Sequence, residues 1–421
     1  MSEYKIPYGK GHLNLHLPSW VNPVVIIPKV IAGAPDPLAA IQYALHNPVG
    51  EVDLDIFSNV HSVAIAINDS TRPVPNYLLL PPLLRYLESF GIHEDAIQFY
   101  IATGTHPLLP IDEYSSVMPE DILRDYKVAC HKCDDPEGLS YLGCTSRGTP
   151  VWINKGYAEA DLRIVVGMIE PHQFQGFSGG VKGAAIGLAG RDTINNNHAM
   201  MNEVGAQLGR YDDNPARQDV EEIGRIIGVH FALNVILNGN REIVRVMAGD
   251  PWQVMAKGIP LSREICQVRT KQDFDLVIAS PGGHPKDINL YQAQKALAHA
   301  GLITRKGGTI ILAAACPEGT GSRAYEAFMD SVNSHREVFD RFRDQGFQVG
   351  EHKALQIARD ACRVQILLVT DMPPELVRRL LLTPVIDLDS ATSMALHEFP
   401  EDGRAAILPR ASSTIPYWSD S

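Results

Sequence analysis

The chain has 421 residues, 45% hydrophobic and 20% charged, which is the composition of a soluble globular protein with room for two or three domains. Its formal net charge of −12 argues against a nucleic-acid partner, because binding to a phosphate backbone needs clustered lysine and arginine. No apolar run is long enough to cross a membrane and the first residues lack a signal peptide, so we expect a cytoplasmic protein without a membrane partner.

The first part of the chain alternates strand-like and helix-like runs. We predict strands at residues 63–67, 99–103, 162–169 and 231–237, and an amphipathic helix at residues 77–89. Such alternation is typical of a mostly parallel sheet covered by helices. Open sheets of this type bind ligands beyond the carboxyl ends of their strands.

A second series of the same kind begins near residue 275. We predict strands at 276–280, 309–313, 365–369 and 405–409, and helices at 291–303 and 390–397. The sequence thus predicts an α/β fold of two lobes, each a mostly parallel sheet covered by helices, with the active site in the cleft between them. We place an N-terminal domain at residues 1–270 and a C-terminal domain at 271–403. The tail, residues 404–421, could finish the second domain or return to the first.

The segment from Glu170 to Lys182 gathers a histidine, the glycine pair Gly179-Gly180 and a lysine directly after the third predicted strand, and a second histidine, His198, follows sixteen residues after Lys182. The glycines could serve only a tight turn with positive φ. They could also cradle a phosphate at a helix start, with the lysine as a point charge. The spacing is not that of a Walker motif, and no Gly-x-Gly-x-x-Gly turn of a dinucleotide enzyme is evident.

Two further loops follow predicted strands in the same way. In the first, Asp69 or Ser70 could simply cap a helix, whereas Arg72 offers a planar fork for a carboxylate or phosphate. The second contains His106, and a lone loop histidine is more often structural than catalytic. Three histidines, a lysine and an arginine at such positions nevertheless favour a functional site.

The second lobe offers its own polar cluster. A glycine pair, Gly282-Gly283, follows a predicted strand, and His284 and Lys286 come directly after it. On the next predicted helix, Tyr291, Gln294 and Lys295 share a face, with Gln292 beside them. A solvated helix start is the simpler alternative.

The six cysteines are too scattered for a disulfide framework. Only Cys130-His131-Lys132-Cys133 with Cys144 resembles a metal site, and adjacent residues are awkwardly placed to share one zinc ion. Because Cys130 ends an alternating, strand-like stretch, a buried thiol is the simpler account.

Five segments together resemble the nickel-pincer-nucleotide-dependent lactate racemases and their relatives that racemise or epimerise other 2-hydroxy acids. They are, in chain order, Asp69-Ser70-Thr71-Arg72-Pro73-Val74-Pro75, Thr103-Gly104-Thr105-His106, Phe177-Ser178-Gly179-Gly180-Val181-Lys182, Asn197-His198 and Tyr291-Gln292-Ala293-Gln294-Lys295. They span nearly the whole chain, so chance agreement at all five is improbable.

The resemblance implies a cofactor and a role for each segment. Lys182 would form a thioamide with pyridinium-3-thioamide-5-thiocarboxylic acid mononucleotide, which binds nickel through two sulfurs and a ring carbon, and His198 would be the remaining nickel ligand. The N-terminal domain would therefore anchor the cofactor. Other residues implied to contact the cofactor are Asp69, Thr71, Ser178, Gly179 and Gly180. Accessory proteins would assemble it.

The resemblance also implies that His106 and His172 act as acid and base on opposite faces of the substrate. The residues implied to bind the substrate are Arg72, Tyr291, Gln292 and Lys295. The C2 hydrogen of a 2-hydroxy acid is hardly acidic, so its departure as hydride while the hydroxyl loses a proton is the easier route, through a flat 2-keto acid.

The sequence leaves the substrate open among lactate, malate, sugar acids and other 2-hydroxy acids, because Thr105, Gln173 and Gln175 would make a polar pocket if they faced it. One alternative function is a nicotinamide-dependent 2-hydroxyacid dehydrogenase, which should show the missing glycine-rich turn. Another is a non-catalytic nickel or nucleotide carrier, which would need fewer histidines. The sequence does not predict an oligomeric state.

Overall fold

The computed structural model describes residues 2–52, 54–58, 60–345 and 350–418. Its strands are β1 (Ser2–Tyr8), β2 (Gly11–Leu17), β3 (Val24–Val25), β4 (Val63–Asn68), β5 (Ile97–Ala102), β6 (Lys127–Cys130), β7 (Leu139–Cys144), β8 (Pro150–Asn154), β9 (Leu162–Met168), β10 (Pro171–His172), β11 (Gly176–Phe177), β12 (Phe231–Leu237), β13 (Ile243–Gly249), β14 (Gln267–Arg269), β15 (Phe274–Ala279), β16 (Thr304–Ala313), β17 (Gln365–Val369), β18 (Thr383–Val385), β19 (Ala405–Leu408) and β20 (Ile415–Tyr417). Its α-helices are α1 (Pro37–His46), α2 (Asn76–Glu88), α3 (Glu120–Asp125), α4 (Lys155–Glu159), α5 (Lys182–Ala185), α6 (Arg191–Ala199), α7 (Pro215–Ile227), α8 (Pro251–Cys266), α9 (Leu290–Gly301), α10 (Arg323–Met329), α11 (His335–Gln345), α12 (His352–Ala361), α13 (Pro374–Arg379) and α14 (Leu388–His397).

The chain folds into two compact units, which we call the first unit (Val30–Ile265) and the second unit (Met1–Lys29 with Cys266–Ser421). This division differs at both ends from the predicted domains of residues 1–270 and 271–403. The hairpin β1–β2 buries Ile6, Leu15 and Leu17 in the core of the second unit, and β3 pairs with β19. Since β19 itself lies between β15 and β3, the C-terminal tail also belongs to the second unit.

The first unit is built on a six-stranded sheet with the order β13-β12-β9-β4-β5-β6, in which only the pairing of β12 with β13 is antiparallel. Along β4, Val63, Ile65 and Ile67 face a core that includes residues of α1 and α2. The alternate residues Ala64 and Ala66 face a core that includes residues of α5, α7 and α8. The period of two thus buries both faces of the sheet, as expected for a parallel sheet covered by helices.

The second unit contains another six-stranded sheet, with the order β18-β17-β16-β15-β19-β3 and every pairing parallel. One core of this unit joins Leu276, Ile311 and Leu367 of the sheet to the N-terminal hairpin and to α14. Helix α9 packs against β15 and β16. The predicted α/β fold of two mostly parallel sheets is therefore confirmed. No helix in the described part of the chain is long and apolar enough to cross a membrane.

Candidate active site

Three neighbouring strands of the first sheet, β5, β4 and β9, end at the same edge because they are parallel. The predicted loops follow them there. Asp69 comes directly after β4, His106 lies four residues after β5, and the segment that begins at Glu170 follows β9. Within that segment, β10 and β11 form a short antiparallel hairpin that pairs His172 with Gly176. Strand order therefore brings these loops together, although they are distant in sequence.

Asp69 and His106 are hydrogen-bonded across adjacent strand ends. The Nδ1 atom of His106 lies 2.6 Å from Oδ2 of Asp69, and Oδ1 of Asp69 accepts hydrogen bonds from the hydroxyl (2.6 Å) and amide (3.2 Å) of Thr71. Burial of Asp69 opposes ionisation, but His106, Thr71 and Arg72 outweigh it and lower its pKa. Because an ionised carboxylate only accepts hydrogen bonds, Nδ1 of His106 carries a proton, and Nε2 of the neutral ring is left to accept one.

Arg72 lies beside the segment after β9. Its Nε atom is 3.7 Å from Oε1 of Glu170, which is an ion-pair distance and too long for a hydrogen bond. Both side chains are partly buried, with 24% and 31% exposed. This pair brings the predicted carboxylate-binding arginine to the residue that precedes Pro171 and His172.

The ring of Phe174 lies between two of the predicted functional histidines. Its centroid is 4.9 Å from that of His172 and 5.0 Å from that of His198, and both contacts are edge-to-face. The backbone amide of Gln175 donates to Nδ1 of His172 at 3.3 Å, which helps to orient the ring. Phe174 therefore fixes the separation of the two rings, a role that the sequence analysis did not predict.

His198, near the end of α6, is held in its neutral form. Burial and the positive charge of Lys182 lower its pKa to about 3. The preceding residue, Asn197, is fully buried and accepts a hydrogen bond from Nε2 of Gln175 at 2.6 Å. Gln175 is thus committed to Asn197. A neutral imidazole is the form that binds metal ions.

The turn before Lys182 is packed into the first unit. Gly179 and Gly180 have φ values of +97° and +57°, and a Cβ atom on Gly180 would lie 2.6 Å from Met255. The amide of Gly180 donates to Asn234 at 2.7 Å. Packing and backbone conformation therefore explain both glycines. The buried hydroxyl of Ser178 has no hydrogen-bond partner among the described residues, so it remains available to a bound group.

In the second unit, Tyr291, Gln292 and Lys295 lie in the first turns of α9. The Nζ atom of Lys295 donates to Oε1 of Gln292 at 2.7 Å. The ring of Tyr291 lies 4.3 Å below the ammonium of Lys353, a residue with 3% exposure. Gln294, which the helical spacing placed with Tyr291 and Lys295, is instead buried and accepts from Lys353 at 3.3 Å.

The structure gives no functional contact to two other features that the sequence analysis singled out, Lys286 and the cysteines around Cys130. Lys286, after the Gly282-Gly283 pair, donates to the hydroxyl of Ser413 in the second unit. Among the described residues, no three or more His, Cys, Asp or Glu side chains are grouped to hold a metal ion. The described residues around Cys130 therefore do not form a zinc site.

Comparison with known proteins identifies relatives along nearly the whole chain. The family model described as the lactate racemase N-terminal domain matches residues 8–209, and the model of the lactate racemase C-terminal domain matches residues 269–415. The lactate racemase of Thermoanaerobacterium thermosaccharolyticum is 30% identical over 426 aligned residues, covering 99% of each chain. That of Lactiplantibacillus plantarum is 30% identical, covering 89% of this chain and 90% of its own.

Solved structures agree with this result. The lactate racemase apoprotein from Thermoanaerobacterium thermosaccharolyticum matches with a TM-score of 0.93 and 29% identity, covering 99% of this chain and 100% of its own. A protein of Thermotoga maritima matches with a TM-score of 0.68 over 93% of this chain. At 18% identity, that second match supports the fold alone.

Proposed function

This chain belongs to the lactate racemase family and is an isomerase of the racemase type, and from that premise we propose that it inverts the C2 centre of a 2-hydroxy acid through a 2-keto acid, with a nickel-pincer nucleotide attached to Lys182. The observation that carries this proposal is the meeting of Asp69, His106 and Arg72 with the segment from Glu170 to Lys182 at one edge of the first sheet. The edge holds a paired histidine, a carboxylate-binding arginine and an anchoring lysine.

The residues around Lys182 suit such a cofactor. His198 is neutral, as a metal ligand must be, because burial and the positive charge of Lys182 lower its pKa. The buried hydroxyl of Ser178 has no partner among the described residues and could bind the nucleotide. We assign the thioamide link to Lys182 and the single protein ligand of nickel to His198. When bound, this group would supply the acceptor, and then the donor, for the C2 hydrogen of the substrate as hydride.

The protein's own residues would handle the substrate and its proton. Arg72 would bind the carboxylate, because the guanidinium fork matches its two oxygens. Nε2 of His106 would take the hydroxyl proton, and Asp69 would stabilise the imidazolium that forms. His172 would act on the oxygen on the opposite face: in its protonated form it would return a proton as the opposite enantiomer forms, and in its neutral form it would take that proton in the reverse reaction. From the second unit, we assign substrate binding to Tyr291, Gln292 and Lys295.

A chiral assay tests this proposal. The protein should be produced together with the accessory proteins that assemble the cofactor, and then given a single enantiomer of lactate or of malate. We expect at least one of these acids to approach an equal mixture of enantiomers, as measured by chiral chromatography. A protein that carries the cofactor and leaves the enantiomeric composition of every 2-hydroxy acid unchanged would contradict the proposal.

Replacing Arg72 with lysine is expected to raise KM more than it lowers kcat. Lysine keeps the positive charge opposite Glu170 but replaces a bidentate fork with a point charge. Initial rates over a range of substrate concentrations measure both constants. An unchanged KM would place the carboxylate site elsewhere.

Replacing His198 with alanine is expected to lower the nickel content and to leave the covalent adduct in place. One imidazole among sulfur and carbon donors controls retention of the metal more than attachment of the nucleotide. Intact mass gives the adduct and elemental analysis gives the nickel in the same sample. Normal nickel in this variant would remove His198 from the metal site.

A further inference from the structure

Helix α7 carries none of the residues assigned above, yet its first turns contact both segments that do. Asn214 caps the helix through the amide of Arg217 and also donates to the carbonyl of Phe174 at 2.7 Å. Arg217 and Asp219 follow on the next turn, and all three residues are fully buried. Burying a charge costs free energy unless the charge is paired and hydrogen-bonded. The partners of Arg217 and Asp219 therefore indicate which segments the start of α7 positions.

Arg217 holds the turn that leads to Lys182. Its Nη1 atom donates to the carbonyl of Phe177 at 2.8 Å and Nη2 donates to that of Gly179 at 3.1 Å. Its Nε atom donates to Glu221 at 2.7 Å, so the charge is compensated on the same helix. Because one rigid guanidinium reaches two carbonyls of the turn, it fixes the direction in which α5, and with it Lys182, begins.

Asp219 holds the residue that precedes His198. Its Oδ2 atom accepts from the side-chain amide of Asn197 at 2.9 Å, and the same amide donates to the carbonyl of Ala216 at 2.8 Å. The hydroxyls of Thr145 and Thr149 complete the environment of the carboxylate, at 2.6 and 3.1 Å. These contacts fix the side chain of Asn197 on α6. They thereby also restrict the position of the next residue, His198.

We infer that α7 sets the separation between Lys182 and His198, with Arg217 as a positioning residue for the covalent anchor and Asp219 as a positioning residue for the metal ligand. This inference rests on the proposed function, because both residues act on side chains assigned to the cofactor. Two charged residues of one helix thus position the two residues that would attach the cofactor, one the covalent anchor and the other the nickel ligand. Outer partners of metal ligands commonly have this role.

The inference predicts that the two attachments fail separately. Replacing Arg217 with lysine keeps a charge for Glu221 but not the contact with both carbonyls, so adduct formation should slow by about 10-fold or more while nickel per adduct stays normal. Replacing Asp219 with asparagine should preserve the adduct and weaken nickel retention by about 10-fold or more. Intact mass over time measures the adduct, and nickel per adduct is measured after dialysis against a chelator.

Matched controls on the same helix separate positioning from stability. Glu222 binds Ser146, and Arg225 lies 5.2 Å over the ring of Trp252, so E222Q and R225K alter α7 without touching either segment. Both controls should load adduct and nickel as the wild type does. The unfolding temperature of each cofactor-free protein shows which variants fold.

Two further variants test the inference if a single substitution of Arg217 or Asp219 prevents folding. Replacing Arg217 with methionine together with Glu221 with leucine leaves no unpaired buried charge and still removes both carbonyl contacts. Replacing Gln175 with methionine removes one hydrogen bond to Asn197 and should lower only the nickel per adduct.

The outcomes are distinct. Separate loss of adduct in the Arg217 variants and of nickel in the Asp219 and Gln175 variants supports the inference. Equal loss of both, or loss that follows the unfolding temperature in the controls as well, would overturn it. A wild-type protein without any adduct would instead overturn the proposed function beneath it.

Discussion

Replacing Lys182 with alanine is expected to remove the covalent cofactor entirely and to reduce racemisation to the background rate. The ε-amine is the atom that the proposed thioamide requires, and alanine offers no nucleophile. The fold should persist, because Lys182 is partly exposed while its neighbours Val181, Ala184 and Ala185 supply the apolar packing of this turn. Intact mass and peptide mapping of wild type and variant, produced with the cofactor-assembly proteins, measure the difference.

A Lys182→Arg variant is the matched control for charge. It keeps the positive charge at position 182 but lacks a primary amine, so it should also be without the adduct. If the alanine variant carried the same added mass as the wild type, or if wild type without any adduct were fully active, the attachment at Lys182 would be wrong.

Replacing His106 or His172 with alanine is expected to lower kcat/KM by about 100-fold or more, which is the usual contribution of a positioned acid or base. The loss should be the same from either enantiomer, because two enantiomers have equal free energy and the ratio of kcat/KM in the two directions is fixed by the equilibrium. Initial rates from each pure enantiomer, with adduct and nickel verified, measure it.

An Asp69→Asn variant separates the charge of the pair from its geometry. Asparagine keeps a hydrogen-bond acceptor for Nδ1 of His106 but cannot stabilise the imidazolium, so its loss should be smaller than that of His106→Ala. Full activity in either alanine variant would break the assignment of two acid–base histidines.

The periodicity of the sequence was sufficient to predict the strands that frame the site. Strands β12 and β17 have the predicted bounds, and β4, β5 and β9 differ from them by no more than a few residues. The buried runs are long and bounded by turn residues, which is where such prediction is most reliable. Parallel pairing then places the following loops at one edge, so the gathering of His106 with the loop of Asp69 follows from topology.

Contacts between loops could not be predicted in the same way. The sequence gives no sign that Asp69 pairs with His106 and no sign that Phe174 separates two histidines, because neither contact has a local pattern. The predicted domain of residues 1–270 differs from the first unit for a related reason: the N-terminal hairpin packs with strands of the second unit, the first of which begins at Phe274. Arg217 and Asp219 lie on α7, a helix that was not predicted from the sequence, so their buried contacts were not predicted either.

The fate of the C2 hydrogen tests the central claim most directly. A single enantiomer of the substrate, deuterated at C2, should be converted in ordinary water by the cofactor-loaded protein, and the deuterium in the opposite enantiomer should be measured by mass spectrometry at early turnover. Reversible hydride transfer predicts that most of the deuterium is retained and that a small amount of 2-keto acid is trapped by acid quench. Extensive exchange of the label with solvent, with no keto acid detected, would contradict hydride transfer and the roles assigned to His106, His172 and Lys182.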